Sequence, residues 1–295
     1  MPELPDLTVY QEAIEARIGG EKLTGIRIAS PFILRTVTPE THELSGKTLL
    51  TTQRLGKRVI FCFEDDLYIV VHLMIAGRFQ WYSAGKKMPT KLGLMAFDFS
   101  AGTLVLTEAS QKRRAAVHFI RGASDLEQFD LGGLDIETAS FDEFKQALSQ
   151  QNRTLKRAMT DQRFLSGVGN AYSDEILHEA QLSPMRQTRH LSETQWLNLY
   201  EATQKTLKVW TDRLRIETGD AFPKKVTAFH QEMKVHGKYK QACADCGSPV
   251  QRIRYASNEC NYCARCQNQG NLLADRGLSK LLKKDWPKTL EELDQ

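Results

Sequence analysis

The chain has 295 residues, 41% hydrophobic and 26% charged, with six cysteines and a formal net charge of +4. That length suits roughly two domains, each with its own core. No stretch is long and apolar enough to span a membrane and the start lacks a basic-then-apolar leader, so a cytoplasmic chain with reduced thiols is expected, whose charge permits a nucleic-acid partner without demanding one.

Asp6 is expected to cap a helix in which Leu7, Tyr10, Ile14 and Ile18 recur at helical spacing, and Gly19-Gly20 ends it. Short strand-like runs follow at 23–29, 59–63, 67–73, 92–99, 103–107 and 116–120, with turns at 64–66 and 100–102. Strands this short and this regularly punctuated predict a β-sandwich or barrel rather than a parallel sheet. Leu131-Gly132-Gly133-Leu134 reads as a linker. Beyond it the periodicity is helical, over 141–148, 154–163, 172–180 and 191 to about 216, with Ser192 and Gln195 as a capping box for the last. Between the second and third helices, Ser166-Gly167-Val168-Gly169-Asn170 forms a turn whose bare amides can approach a phosphate.

Near the C-terminus, Cys243, Cys246, Cys263 and Cys266 form two CxxC knuckles sixteen residues apart. Tetrahedral zinc takes four soft ligands, and two knuckles supply them from turns that a hairpin brings together. Two disulfides are the alternative, disfavoured by the expected compartment. Cys260 and Cys62 fall outside this spacing and read as structural. The tail 268–295 places Leu278, Leu281 and Leu282 on one helix face with Lys280, Lys283 and Lys284 around it; a helix packed onto the body and an extra DNA contact are the two readings.

Met1-Pro2-Glu3-Leu4-Pro5-Asp6, the 166–170 turn and the ribbon, with Lys57 and Lys156 in their local contexts, together resemble the formamidopyrimidine-DNA glycosylase/endonuclease VIII family from Pro2 to about Gln267. The resemblance implies an α+β protein: an N-terminal β-sandwich with a leading helix, then a helix-two-turn-helix domain ending in a zinc ribbon, with damaged double-stranded DNA held in the cleft between them. The corresponding divisions are 1–130, a linker and first helix at 131–150, 151–236, the ribbon at 237–267 and an extension at 268–295. A monomer with one structural zinc ion is expected.

The chemistry accounts for the residue types. Once Met1 is removed, Pro2 offers a secondary amine whose pKa lies near that of α-amino groups, so a useful fraction is neutral and nucleophilic. Glu3 then shuttles protons as general acid and base. By resemblance, Lys57 grips phosphate near the lesion and Lys156 and Asn170 clamp the backbone of the bent strand. Glu175 reads as an internal brace and His72 as a core histidine. Either Met74 or Ile75 fills the gap left by an extruded base, and Arg113 or Arg114 stands on the loop facing the opposite strand, where the family's aromatic is missing. Asn258 replaces the arginine usual at the hairpin tip, so charge and bidentate geometry are lost there unless Arg252 or Arg254 compensates.

The expected activity is excision of oxidised bases, purines such as formamidopyrimidine or 8-oxoguanine, with lyase action at the abasic site. An oxidised-pyrimidine enzyme of endonuclease VIII type and a non-catalytic binder of damaged DNA are the alternatives. A plain zinc-ribbon interaction module is disfavoured by the intact Pro-Glu start.

Overall fold

The computed structural model describes residues 1–224, 229–255, 258–275 and 277–293. The chain divides into two compact units, the first made of Met1–Leu131 with Trp210–Thr227 and the second of Gly132–Val209 with Ala228–Gln295. The segment 210–227, expected inside the helical domain, thus belongs to the first unit.

In the first unit, helix α1 (Leu4–Ile18) precedes β1 (Leu23–Ile28), the one-turn α2 (Thr41–Leu44), strands β2 (Leu49–Leu55), β3 (Arg58–Phe63), β4 (Leu67–His72), β5 (Gly77–Tyr82), β6 (Gly93–Phe99), β7 (Thr103–Glu108) and β8 (Ala116–Arg121), and the short α3 (Ala123–Leu126). The strands form two antiparallel sheets, ordered β1-β6-β7-β5 and β2-β3-β4-β8. Leu7, Tyr10 and Ile14 of α1 share one buried core with Phe61 and Val71 of one sheet and Phe79 and Phe97 of the other, so the sheets are two faces of a sandwich. Along β3 the side chains alternate between two interiors, Val59, Phe61 and Phe63 entering that core and Ile60 and Cys62 packing with Val70, Ile120 and Phe129. Burial on both sides is why this strand reads as one apolar run.

Helix α1 starts three residues earlier than the sequence pattern suggests. Leu4-Pro5 occupies its first positions, and Glu3 is the cap, in a capping box with Asp6, whose carboxylate accepts the Glu3 N–H at 2.8 Å. Glu15 on the same helix accepts from Thr52 N at 2.6 Å and from both Thr51 and Thr52 hydroxyls, covering part of the outer edge of β2.

Two loops cross from sheet to sheet side by side. Residues 73–76 join β4 to β5 and 109–115 join β7 to β8, and because β4 pairs with β8 (His72 with Ala116) and β5 with β7 (Gly77 with Glu108) the loops leave the same end of the sandwich. The first is tight: Gly77 N–H donates to Leu73 O at 2.8 Å, and a Cβ on Gly77 would sit 2.2 Å from that oxygen.

The second unit contains α4 (Phe141–Ser149), α5 (Leu155–Thr160), α6 (Asn170–Glu179) and most of α7 (Glu193–Thr218), then the hairpin β9 (Gln251–Tyr255) and β10 (Asn258–Tyr262), α8 (Ala264–Asn268) and the short α9 (Leu278–Leu282). The Ser192–Gln195 capping box opens α7 as expected, with bonds of 3.1 and 3.3 Å. Helix α5 is shorter than its apolar pattern, stopping at Thr160 as the chain turns toward the glycine turn.

Gly77→Ala should force the 73–77 backbone apart and cost about 1–3 kcal/mol. Urea unfolding checks this as a lowered midpoint at an unchanged slope.

Candidate active site and metal centre

The chain start is packed inside the first unit. Pro2 is buried, and Glu3 and Asp6 are 2% and 3% exposed. Burial lowers the pKa of the terminal amine, carried here by Met1; Glu3 and Asp6 oppose that shift, and Arg78 and Lys57 reinforce it. Two side chains distant in sequence, Lys57 and Arg78, therefore join Glu3 and Asp6 around one amine. Lys57, 6% exposed, sits at the β2–β3 turn beside Gly56, whose φ of 59° makes that turn. Arg78 was not foreseen. It stands on β5 and donates to Gly77 O at 2.6 Å and Ile75 O at 3.2 Å, which ties the loop to the amine's surroundings.

Burial raises the Asp6 carboxyl to about 7, against the pull of the Glu3 N–H. Asp6 also lines a cleft of about 430 Å³ with Val9, Leu214, Thr218, Ala221 and Phe222. Phe222 anchors the loop after α7 by packing on Tyr10 with ring centroids 5.8 Å apart and beneath the Arg17 guanidinium. In the segment that follows α7, residues 225–228 lie outside the described residues.

At the paired loops, Ile75 is 64% exposed, whereas Met74 is half-buried with φ of 53°. His72 accepts the Met74 N–H on Nδ1 at 3.0 Å, and burial lowers its pKa to about 4, so the ring is neutral. Arg113 and Arg114 are exposed on the neighbouring loop. Arg113 donates to Lys91 O at 3.0 Å, and buried Glu108 holds the loop by accepting from Arg114 N and Ala115 N, each at 3.0 Å.

In the second unit the geometry around Lys156 differs from a phosphate clamp. The residue is 4% exposed, and its ammonium donates to Asn170 O at 2.6 Å, Ser173 Oγ at 2.7 Å and Asp174 Oδ1 at 2.5 Å. Burial disfavours the charge, but Asp174 outweighs it and the pKa stays above the usual lysine value. With three donors spent internally, the side chain braces the 166–170 turn instead of reaching outward. Asp174 Oδ2 accepts from His236 Nδ1 at 2.7 Å and Asn261 N at 3.0 Å. Glu175 accepts the backbone N–H groups of Lys234, Val235 and His236 at 2.8 to 2.9 Å. Asn170 donates to Glu259 O in β10 at 2.9 Å, joining the glycine turn to the hairpin. Asn258 is exposed where that hairpin opens, next to the undescribed residues 256–257. Arg252 lies over the Tyr239 ring at 4.1 Å and pairs with Glu259 at 3.4 Å, leaving Arg254 as the exposed arginine of β9.

The cysteine knuckles come together. Cys243 Sγ is 3.9 Å from Cys266 Sγ, and Cys246 Sγ is 3.4 Å from Cys263 Sγ. Four sulfurs about 2.3 Å from a tetrahedral zinc ion stand about 3.8 Å apart, so the donor set and spacing fit that ion. His178 of α6, unforeseen, also belongs to the cluster: its ligand nitrogen and the sulfurs of Cys243, Cys263 and Cys266 lie within 4.8 Å of one another, a group that could hold a metal ion. The imidazole Nε2 lies 3.3 Å from Cys243 Sγ.

The model of the formamidopyrimidine-DNA glycosylase N-terminal domain matches residues 1–117, and that of the formamidopyrimidine-DNA glycosylase H2TH domain matches residues 133–217. The chain belongs to the formamidopyrimidine-DNA glycosylase family. It is 27% identical over 279 residues to the formamidopyrimidine-DNA glycosylase of Lactococcus lactis subsp. cremoris, covering 91% of this chain and 100% of that one. Two solved structures align with a TM-score of 0.78 at 25% identity and over 90% of this chain: Lactococcus lactis Fpg with an abasic-site DNA, covered to 99%, and a mutant of it with a Fapy-dG containing DNA, covered to 100%. No helix among the described residues is long and apolar enough to cross a membrane.

Asp6 provides a pH test. Its folded pKa of about 7 lies above the ordinary value, so the folded state holds the proton more tightly, and the stability this contributes is full below pH 4 and lost as pH rises through 7. Asp6→Asn should flatten the fall in melting temperature between pH 5 and 8, read by calorimetry.

Proposed function

We propose that this protein is a base-excision DNA glycosylase that removes oxidised purines, and that Pro2, freed by loss of Met1, is its nucleophile. The observation that carries the reading is the convergence of Glu3, Asp6, Lys57 and Arg78 on a buried amine at the chain start. The abasic and Fapy-dG DNAs in the Lactococcus lactis complexes support the substrate class.

Burial and two neighbouring cations favour the neutral amine, which can attack C1′ of the damaged nucleotide. The C1′–N bond to the base breaks and its electron pair leaves with the base, which is protonated. Glu3 donates a proton to the sugar ring oxygen, the ring opens, and an iminium joins Pro2 N to C1′. The iminium acidifies C2′–H; loss of that proton expels the 3′ phosphate and nicks the strand. Water adds to C1′ of the remaining iminium, releasing the sugar remnant as an aldehyde and returning the amine.

The cleft beside Asp6 suits the extruded base. Half protonated near neutral pH, the carboxyl presents both a donor and an acceptor to an oxidised purine edge. Ile75, the more exposed of the two wedge candidates, fills the vacated stack, with Arg113 and Arg114 toward the opposite strand. Lys57 contacts phosphate. Lys156 acts through the turn it braces, positioning Asn170, while Asn258 adds a neutral donor at the hairpin tip. One zinc ion on Cys243, Cys246, Cys263 and Cys266 ties the knuckles so that the hairpin holds its shape. The protein acts as a monomer in the cytoplasm, on the nucleoid.

Borohydride added during turnover should trap the wild type covalently on a duplex carrying 8-oxoguanine or an abasic site, and Pro2→Gly should lower trapping at least tenfold. Failure to trap on any lesion duplex, or retention of Met1 in the mature chain by mass spectrometry, overturns the mechanism. Duplex retention without trapping favours the non-catalytic binder. Chelation of zinc should lower duplex affinity at least tenfold in a filter-binding assay, with recovery on adding zinc back.

A further inference from the structure

The segment after the ribbon is built onto it. Leu272 N donates to Lys288 O at 2.7 Å, Leu290 N donates to Gly270 O at 3.0 Å, and Asn271 and Thr289 form an antiparallel bridge, so 270–290 closes as a loop with a paired base. Leu290, 5% exposed, packs with Ile253, Tyr262 and Ala264 of the ribbon, and Leu273 N donates to the Tyr262 hydroxyl at 2.8 Å. The decisive contact is Asp275. This 3% exposed carboxylate accepts Arg254 N on the open edge of β9 at 2.7 Å, one residue before the Tyr255–Asn258 pair that opens the hairpin tip. It also accepts Gly277 N at 2.8 Å, and its carbonyl accepts Ser279 N at 3.0 Å, so α9 begins directly on the hairpin edge.

The loop projects exposed Lys280, Lys283 and Lys284, with Leu281 77% exposed among them. Exposed Asp285 is the acid within this run; Glu291 and Glu292 follow beyond the paired base. Nine-tenths of this chain covers the Lactococcus lactis relative end to end, leaving room for a segment of this size without a counterpart there.

We propose that the 270–290 loop is a second phosphate-binding element of the ribbon, in which Lys280, Lys283 and Lys284, placed beside Arg254 by Asp275, supply the DNA backbone with the charge that Asn258 does not. This rests on the DNA-repair reading above. A polyanion suits three ammonium groups continuous with a hairpin tip already read as a DNA contact, and each phosphate neutralised on a duplex steepens the salt dependence of binding by about 0.9.

The test compares the full-length zinc-loaded wild type with Lys280→Ser/Lys283→Ser/Lys284→Ser and with Leu281→Ser/Leu282→Ser, on a duplex carrying one tetrahydrofuran abasic analogue, across a potassium chloride series. The lysine variant should lose about two to three units from the slope of log affinity against log salt, with zinc content and melting temperature unchanged, while the leucine variant keeps the slope. An unchanged slope in the lysine variant, with normal borohydride trapping on a separate 8-oxoguanine duplex, overturns the loop's role and leaves the glycosylase reading standing. Lost affinity in the leucine variant alone also overturns it, in favour of apolar contact. A wild type that binds no lesion duplex overturns both readings.

Discussion

One carboxylate organises the second unit. Asp174 receives Lys156 from α5, His236 from the segment before the ribbon and the backbone of Asn261 in β10, while it stands itself on α6. Removing three polar groups from water is costly, and such a cluster stabilises only when every partner is present. The glycine turn, the approach to the ribbon and the hairpin therefore hold one arrangement. The neighbouring Glu175 repeats the device with three backbone N–H groups, so two adjacent acids on one helix fix where the approach to the ribbon and the hairpin lie.

The first unit solves a different problem, which is how to keep a chain end ordered. Termini normally fray, because few contacts repay the lost entropy. Here the capping box of Glu3 and Asp6 ties the start to α1, and α1 lies in the sandwich core through Leu7, Tyr10 and Ile14. Packing order at the amine is thus inherited from the best-buried helix of the unit. The same burial that orders the amine lowers its proton affinity.

Much of this was legible in the residues, and the exceptions have physical reasons. The cysteine spacing announced the ribbon, since metal geometry is local. The central strands announced themselves by apolar runs, but β2 and β5 did not: both lie at sheet edges, where Thr51, Gln53 and Gln80 carry little periodic signal. The start of α1 was placed too late because prolines look like breakers until they fall in a first turn. Lys156 was recognised, yet its burial was not, because whether an ammonium faces phosphate or carboxylate depends on Ser173 and Asp174 many residues away. Arg78 and His178 lacked any local pattern and became visible only through what they touch.

The neutral imidazole of His72 has a bearing on behaviour under acid stress. Its Nδ1 lone pair receives the Met74 N–H, and a proton there would face that donor head on, which adds to the desolvation that keeps the ring uncharged down to about pH 4. Because the folded pKa lies below the ordinary histidine value, the stability tied to this ring persists above pH 6.5 and drains away only as acidity deepens toward 4. A fall of one pH unit from neutrality would thus leave the ring uncharged and its bond to the 73–76 loop in place.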